Sequence, residues 1–543
     1  MKNWLRQNYL TILFGLFIAG YAFIFLINPQ LGPTDDFVFL RTLQSGKPLL
    51  YYSQNFPYYD WLGFGRFSIL TSMEYNLVGL FSNSVFWYFF YHAVQFIIFA
   101  LILVKLLTRL FQNKTVVYVS SILVFLMPAF AISWFRLQLP ERNVIFLLAL
   151  LLLIYQIFLE KQKVIYLAAG ILLANLTIYY KEISFIIIGA FAFSHLILAW
   201  KKSTIKNKVF DFLLLLSSAV YLILYYFLIY LHSTPLLLKA KPHNQLIAFF
   251  KNIINYAFFS DPILIVFIPL GLYRLYKIFI KKEAANPFFD SLIAGALAYA
   301  VSLFALNMYG PYYLLPIYIV AVPALIYYLK DYLSKNVVWK LLFGLMALMM
   351  IFNAVPSGIH YLTFNKYLPI NFNKTLDFLI RDIKIKHSND QANIFLDGVD
   401  LAAGRGTYFI FGEFLEYKGL GLTRFNLRSN VFTEHPEPLI SKISPPSTVF
   451  NSDVPSEIKS GDYLVIPPQA NTKNITNGYL NLLKNDYKLV FQTKSPLAFP
   501  NLNLKILIKY LISKRLSQNQ KASGLITNEN LVERSDYYVF VKK

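Results

Sequence analysis

Long uncharged apolar runs leave this chain few folds to adopt. Val144 to Leu159, Ile183 to Trp200 and Phe212 to Leu231 are three of them. A hydrocarbon layer roughly 30 Å thick takes about 20 apolar residues to cross as a helix. Inside that layer the backbone must satisfy its own hydrogen bonds, which helices do. Repeated runs of this length therefore predict a polytopic α-helical membrane protein. Composition agrees: the 543 residues are 57% hydrophobic and 14% charged, against roughly 25% charged in soluble domains.

Eleven spans are expected, near residues 9–28, 84–107, 116–134, 141–159, 164–180, 183–200, 209–231, 262–280, 288–308, 311–329 and 338–356. The first apolar run, Tyr9 to Ile27, follows Lys2 and Arg6 and exits through Asn28-Pro29-Gln30-Leu31. That exit carries no small-residue cleavage site, so the run reads as a retained helix.

The net charge of +22 has a topological explanation rather than a nucleic-acid one. Lys105, Arg109 and Lys114 follow the second span, and Lys161 and Lys163 the fourth. Lys201, Lys202, Lys206 and Lys208 follow the sixth; Arg274, Lys277, Lys281 and Lys282 end the eighth; Lys330 and Lys335 follow the tenth. All fall on one side of the spans, which the positive-inside rule makes cytoplasmic. A plasma-membrane protein is then expected, with its N-terminus inside. The first loop and everything after residue 357 lie outside. No nucleic acid is expected as a partner. The chain has no cysteine, which excludes disulfides, thiolate nucleophiles and cysteine metal sites.

Two stretches stand out from simple connections. The outer loop 29–83 mixes aromatics with Gly and Pro, as in Phe56-Pro57-Tyr58-Tyr59-Asp60-Trp61, and also carries Glu74. That mixture suits a segment lying at the headgroup level. A second outer loop, His232 to Ser260, carries Lys239, Lys241, His243 and Lys251. Beyond about residue 360 the apolar runs shorten to strand length: Asn393 to Leu396, Tyr408 to Phe411, Tyr463 to Ile466, Lys488 to Phe491 and Tyr537 to Val541. Helical patterns at Lys374 to Lys384 and Leu502 to Lys514 lie among them. Residues 1–356 thus read as a transmembrane domain, and 357–543 as a soluble extracytoplasmic α/β domain of ordinary size.

The charged residues at outer span ends are the candidates for chemistry. Asp35-Asp36 sits in Gly32-Pro33-Thr34-Asp35-Asp36-Phe37, just past the first span. Ionisable groups this close to a bilayer are functional candidates by default. The pair caps a short helix, or it serves as a general base on an acceptor hydroxyl or as oxygen ligands for a divalent cation. Pro140-Glu141-Arg142-Asn143, with Arg136 before it, is either a helix start or a phosphate site, since Arg forks bind phosphate bidentately. Lys181-Glu182, in the short turn after the fifth span, is either a local ion pair or a further phosphate contact. Arg66, in Gly63-Phe64-Gly65-Arg66, follows glycines that let a backbone approach a ligand. The histidines show no pair at metal-ligand spacing.

A first span, an outer loop opening on an acidic pair, alternating helices and a trailing outer domain resemble the GT-C superfamily of integral-membrane glycosyltransferases. Its members include protein O-mannosyltransferases and the aminoarabinose transferase acting on lipid A. The resemblance covers roughly residues 1–356. It implies a fold of the GT-C kind and a polyprenyl-phosphate sugar as donor. It implies that Asp35 and Asp36 lie at the catalytic centre, that Lys181 occupies the position of a recurring outer-turn Lys, and that Glu141 is similar in placement to an acidic residue of the second outer loop. The chain has no Trp-Trp-Asp motif of the oligosaccharyltransferase kind.

The expected activity is transfer of a sugar from a polyprenyl-phosphate donor to a lipid, glycan or protein acceptor outside the membrane, with inversion. Asp35 or Asp36 is the expected base. Arg66, Arg136, Glu141, Arg142, Lys181 and Glu182 are the expected substrate and phosphate contacts. Mg²⁺ or Mn²⁺ on Asp35 and Asp36 is an open alternative to Arg and Lys alone. The competing readings are a transporter or flippase of lipid-linked sugars and an inactive scaffold. No matching pair of broken helices, as inverted-repeat transporters carry, is visible.

Overall fold

The structure is a computed structural model. It describes residues 2–34, 36, 39–40, 43, 67–232, 244–306, 308, 310–387, 390–397, 405–428, 456–468, 483–497, 499–500, 504, 507–508, 511 and 535–543. Asp35, Arg66, Lys239, Lys241, His243 and most of the 502–514 pattern lie outside these residues.

In chain order the helices are α1 (Lys2–Leu26), α2 (Glu74–Gly79), α3 (Val85–Leu110), α4 (Lys114–Phe125), α5 (Pro128–Phe135), α6 (Glu141–Lys161), α7 (Val164–Tyr180), α8 (Ser184–Ala199), α9 (Ile205–Tyr225), α10 (Gln245–Asn255), α11 (Ile263–Leu275), α12 (Pro287–Ala305), α13 (Leu315–Lys335), α14 (Val337–Met349), α15 (Val355–Lys386) and α16 (Arg405–Tyr417). Among the described residues, 8 helices are long and apolar enough to cross a membrane, counting α14 and α15 as one rod. α4 and α5 together make another, bent by 61°. The bend falls where Met127 is extended and Pro128, lacking an N–H, restarts the helix. α7 and α8 are apolar but shorter, at 17 and 16 residues. The bent pair and these two helices occupy the places of the expected third, fifth and sixth spans.

Local chemistry explains where several helices begin. Ser84, Asn113, Thr204, Asn286 and Asn336 each accept a backbone N–H of the first turn with the side chain. The outward faces are apolar: Leu101, Leu216, Leu222 and Leu341 are exposed, a surface suited to lipid. Inside the bundle two polar clusters tie helices together. Arg274 meets Asp290 through two bonds of 2.9 Å, with Tyr328 on the same carboxylate at 2.5 Å. Asp211 accepts from Tyr155 at 2.6 Å and pairs with His195 at 2.8 Å. Both satisfy buried charge across three helices.

Cross-chain bonds define one end of the bundle. The Leu70 N–H donates to the Tyr179 carbonyl at 3.1 Å. The Tyr221 hydroxyl donates to the Phe67 carbonyl at 2.7 Å, and Asn373 donates to the Leu31 carbonyl at 2.9 Å. This end carries the C-terminal domain. At the other end Gln162 bonds Asn207 at 2.6 Å. Short α2 leaves Leu77, Leu80 and Phe81 exposed beside the domain-bearing end, as an interfacial segment does.

The rod formed by α14 and α15 runs unbroken from Val337 to Lys386, so the 356/357 boundary falls inside a helix. Its outer half packs Leu376, Leu379 and Ile383 under a five-stranded sheet. The strands are β1 (Ala392–Leu396), β2 (Phe425–Arg428), β3 (Tyr463–Ile466), β4 (Tyr487–Gln492) and β5 (Tyr538–Lys542), in the order β2-β1-β3-β5-β4. β1 is parallel to β2 and β3, while β5 is antiparallel to β3 and β4. Four of the five expected strand runs are strands. The run Tyr408 to Phe411 is instead part of α16. Tyr408, Phe411, Phe414 and Leu415 are its buried side, a helical spacing that a four-residue window cannot display. β2 is additional to the expected runs, because Asn426 and Arg428 interrupt its apolar pattern.

Candidate active site at the domain-bearing end

Asp36 is buried where the first loop folds against α15. Its Oδ2 accepts the Gly32 N–H at 2.8 Å. The fit around Gly32 is close: a methyl on it would lie 3.2 Å from Pro369 Cγ and 3.3 Å from Asp36 Oδ2. Phe39, three residues on, stacks edge-on to Tyr75 at 4.9 Å between ring centres. The Asp36 turn is thus fixed between the long rod and the Tyr75 cluster.

That cluster is closed. Arg142, at the start of α6, is completely buried. One of its terminal nitrogens donates to Glu74 Oε1 at 2.7 Å. The other donates to the Tyr75 hydroxyl at 3.1 Å and meets His92 Nε2. His92 Nδ1 donates to the Trp134 carbonyl at 2.9 Å, which leaves Nε2 as the acceptor. Asn143 and Tyr180 add bonds to the Glu74 carboxylate at 2.6 and 3.2 Å. Burial raises the Glu74 carboxyl above its ordinary value, while Arg142 and Asn143 work against that. Arg142 is among the expected phosphate contacts. Arg142 is an internal counter-charge, because the guanidinium has no exposed surface and its terminal groups are bonded to protein. Glu74 and His92 join the site without having been among the expected contacts. The only sequence signal for them is an acid within an otherwise uncharged aromatic stretch.

The next residue points the other way. Glu141 is fully buried, and its Oε1 lies 3.1 Å from Lys181 Nζ. Lys181 therefore pairs with Glu141 rather than with its sequence neighbour Glu182. Its ammonium also lies 5.2 Å from the Tyr313 ring centre. Arg136 caps the end of α5 and is half-exposed. Its Nε is buried without a hydrogen-bond partner among the described residues. The structure thus brings Arg136, Glu141 and Lys181 to the same end of the bundle as Asp36. No group of three or more His, Asp or Glu suited to a metal occurs among the described residues.

An apolar cleft of about 1310 Å³ runs between α4, α13 and α14. Leu123, Ile263, Val322, Phe343 and Met350 line it, with Tyr318 near the domain-bearing end and Lys330 at the other. Its walls lead to the charged cluster. α4 continues through α5 to Arg136, and α13 is preceded by the Pro311–Leu314 turn that packs on α5. The Tyr318 hydroxyl donates to the carboxylate of Asp261, which is 1% exposed. Burial pushes the Asp261 carboxyl up to about 7, against that hydrogen bond.

No family model and no curated protein matches this chain. Among solved structures it is similar to ArnT from Cupriavidus metallidurans bound to undecaprenyl phosphate. The identity is 10%, with 89% of this chain and 96% of that one covered at a TM-score of 0.45. It is also similar to the archaeal oligosaccharyltransferase AglB from Archaeoglobus fulgidus, in complex with an inhibitory peptide and a dolichol-phosphate. There the identity is 11%, with 99% of this chain and 89% of that one covered at a TM-score of 0.42. Similarity at this level is one of layout and transfers no residue's role.

Proposed function

We propose that this chain is a GT-C-like glycosyltransferase that moves a sugar from a polyprenyl-phosphate donor to an acceptor on the extracytoplasmic face. The observation that supports the reading is the apolar cleft between α4, α13 and α14, together with Arg136 and the Glu141–Lys181 pair at the domain-bearing end of the same bundle. An apolar groove between helices suits an isoprenoid tail, and cations at the domain-bearing end suit the phosphate.

The chemistry is a single displacement. The acceptor oxygen bonds to the anomeric carbon as the bond from that carbon to the phosphate oxygen breaks. The acceptor proton passes to Asp36 or Asp35, and polyprenyl phosphate leaves. Attack opposite the leaving group inverts the centre. Arg136 and Lys181 stabilise charge developing on the departing phosphate. Glu141 holds Lys181 in place before donor arrives. A Mg²⁺ or Mn²⁺ ion, if bound, would use the Asp35-Asp36 carboxylates and supply further positive charge.

The test uses purified protein in nanodiscs with labelled donor and acceptor. Wild-type protein releases free polyprenyl phosphate. Asp36→Asn lowers turnover about 10²-fold or more with donor binding retained, provided Asp36 is the base of the pair. Donor crossing the bilayer without release would favour a flippase and overturn the reading.

A further inference from the structure

The rod α15 brings to this end of the bundle a charge that the proposed displacement leaves unused. Lys366 is half-buried, and among the described residues its ammonium has neither a hydrogen bond nor an ion pair. A partly desolvated cation without a counter-charge is costly, and a ligand anion would relieve it.

Its position follows from the packing of α15. Pro369 and Asp36 flank Gly32, and Asn373 holds the Leu31 carbonyl. Lys366 lies three residues before Pro369 and seven before Asn373, so the three share one side of the helix. Leu362, a turn earlier, packs on the bundle core. α15 runs away from the bundle. Lys366 therefore sits one turn, about 5 Å, on the bundle side of the Asp36 turn.

Arg136 approaches the same level from α5. Gly358 is pressed against Leu126 and Met127, the two helices pack on each other, and the Leu137 carbonyl accepts from Tyr75, whose ring packs on Phe39 beside the Asp36 turn. The two helices thus run side by side in one direction. Arg136 is nine residues past Met127, and Lys366 is eight past Gly358. Two cations lacking hydrogen-bonded or ion-paired partners at the groups named, Lys366 Nζ and Arg136 Nε, lie on the membrane side of a buried carboxylate. A lipid phosphosugar has the same order, with phosphate near the tail and sugar beyond.

We infer that Lys366 is a donor-phosphate contact, acting with Arg136 beneath the Asp36 carboxylate. The inference rests on the donor reading above. Full-length protein is placed in phosphatidylcholine nanodiscs carrying polyprenyl phosphate, phosphatidylglycerol or neither, and acetylation of Lys366 is followed by mass spectrometry. Polyprenyl phosphate slows acetylation about tenfold, and phosphatidylglycerol does not. Lys366→Gln weakens polyprenyl-phosphate binding about tenfold, the scale of one charge-assisted contact. If wild-type protein binds no polyprenyl phosphate, the donor reading fails. If it binds while Lys366 is unprotected and Lys366→Gln binds equally, this inference alone fails. Equal protection by phosphatidylglycerol means a general anionic-lipid contact and also overturns it. Should Lys366→Gln not fold, protection in the unmodified protein decides.

Discussion

Arg142 and Glu74 depend on each other, because neither charge reaches water. Removing one leaves the other buried and unpaired, which costs about 3–5 kcal/mol, whereas replacing both by apolar groups is often neutral. Glu74→Leu should therefore lower the thermal unfolding midpoint in detergent sharply, and Glu74→Leu with Arg142→Met should recover most of it. A double variant as unstable as the sum of its singles would show the pair is not a unit. Asp261 supplies a pH dependence. Its carboxyl is raised in the folded protein to about 7, from about 3.9 unfolded. The contribution to stability is then complete below the unfolded value and lost as pH rises through about 7. Unfolding midpoints should fall between about pH 4 and 7 and level off above that, and Asp261→Asn should flatten that slope. An unchanged slope in the variant would assign the dependence elsewhere. Charges such as Glu141, Arg142 and Lys181 are legible in the sequence because they stand out at the ends of apolar runs. Their pairings are not, since Glu74 lies 68 residues from Arg142 and no local pattern encodes that approach.

At the scale of elements, apolar length is the strong signal and short runs the weak one. Spans of 19 to 26 residues, such as α1, α3 and α6, cannot be mistaken. Tyr408 to Phe411 is ambiguous, and β2 is hidden by polar residues. The closest approach at any of the described glycines is also invisible from sequence. Gly358 lets α15 lie against the α4–α5 bend, where a methyl group would overlap the Leu126 carbonyl. A backbone carbonyl cannot rotate aside as a side chain can. Gly358→Ala should therefore cost about 1–3 kcal/mol, the scale of overpacking, and loosen the rod that carries the sheet. A methyl group added at Gly344, in α14, would meet nothing within 4 Å. Gly344→Ala should thus be neutral or mildly stabilising, Ala being the better helix former. Heat-induced loss of monodisperse protein on size exclusion measures both. Equal behaviour of the two variants would mean that the contact at the bend is soft.

For the whole molecule, orientation decides whether the site can do its chemistry. The structure gathers the Asp36 turn, the Arg136–Glu141–Lys181 cluster, Lys366 and the α/β domain at one end of the bundle. The opposite end holds the Gln162–Asn207 contact and the Arg109–Glu160 pair. The lysines of the loops after α6 and α8 lie at that opposite end, beside Gln162 and Thr204. The positive-inside rule predicts a cytoplasmic place for that end, and with it an extracytoplasmic one for the cluster and the C-terminal domain. The separation of the two ends follows from the folded chain, and their assignment to compartments follows from charge alone. Reporter fusions after Lys206 and after Lys386 should therefore report opposite sides, cytoplasmic for the first and extracytoplasmic for the second. Both reporters on one side would contradict the crossings between α9 and α15. Opposite sides in the reversed sense would keep the fold and place the cluster in the cytoplasm, where a donor presented outside the cell could not reach it.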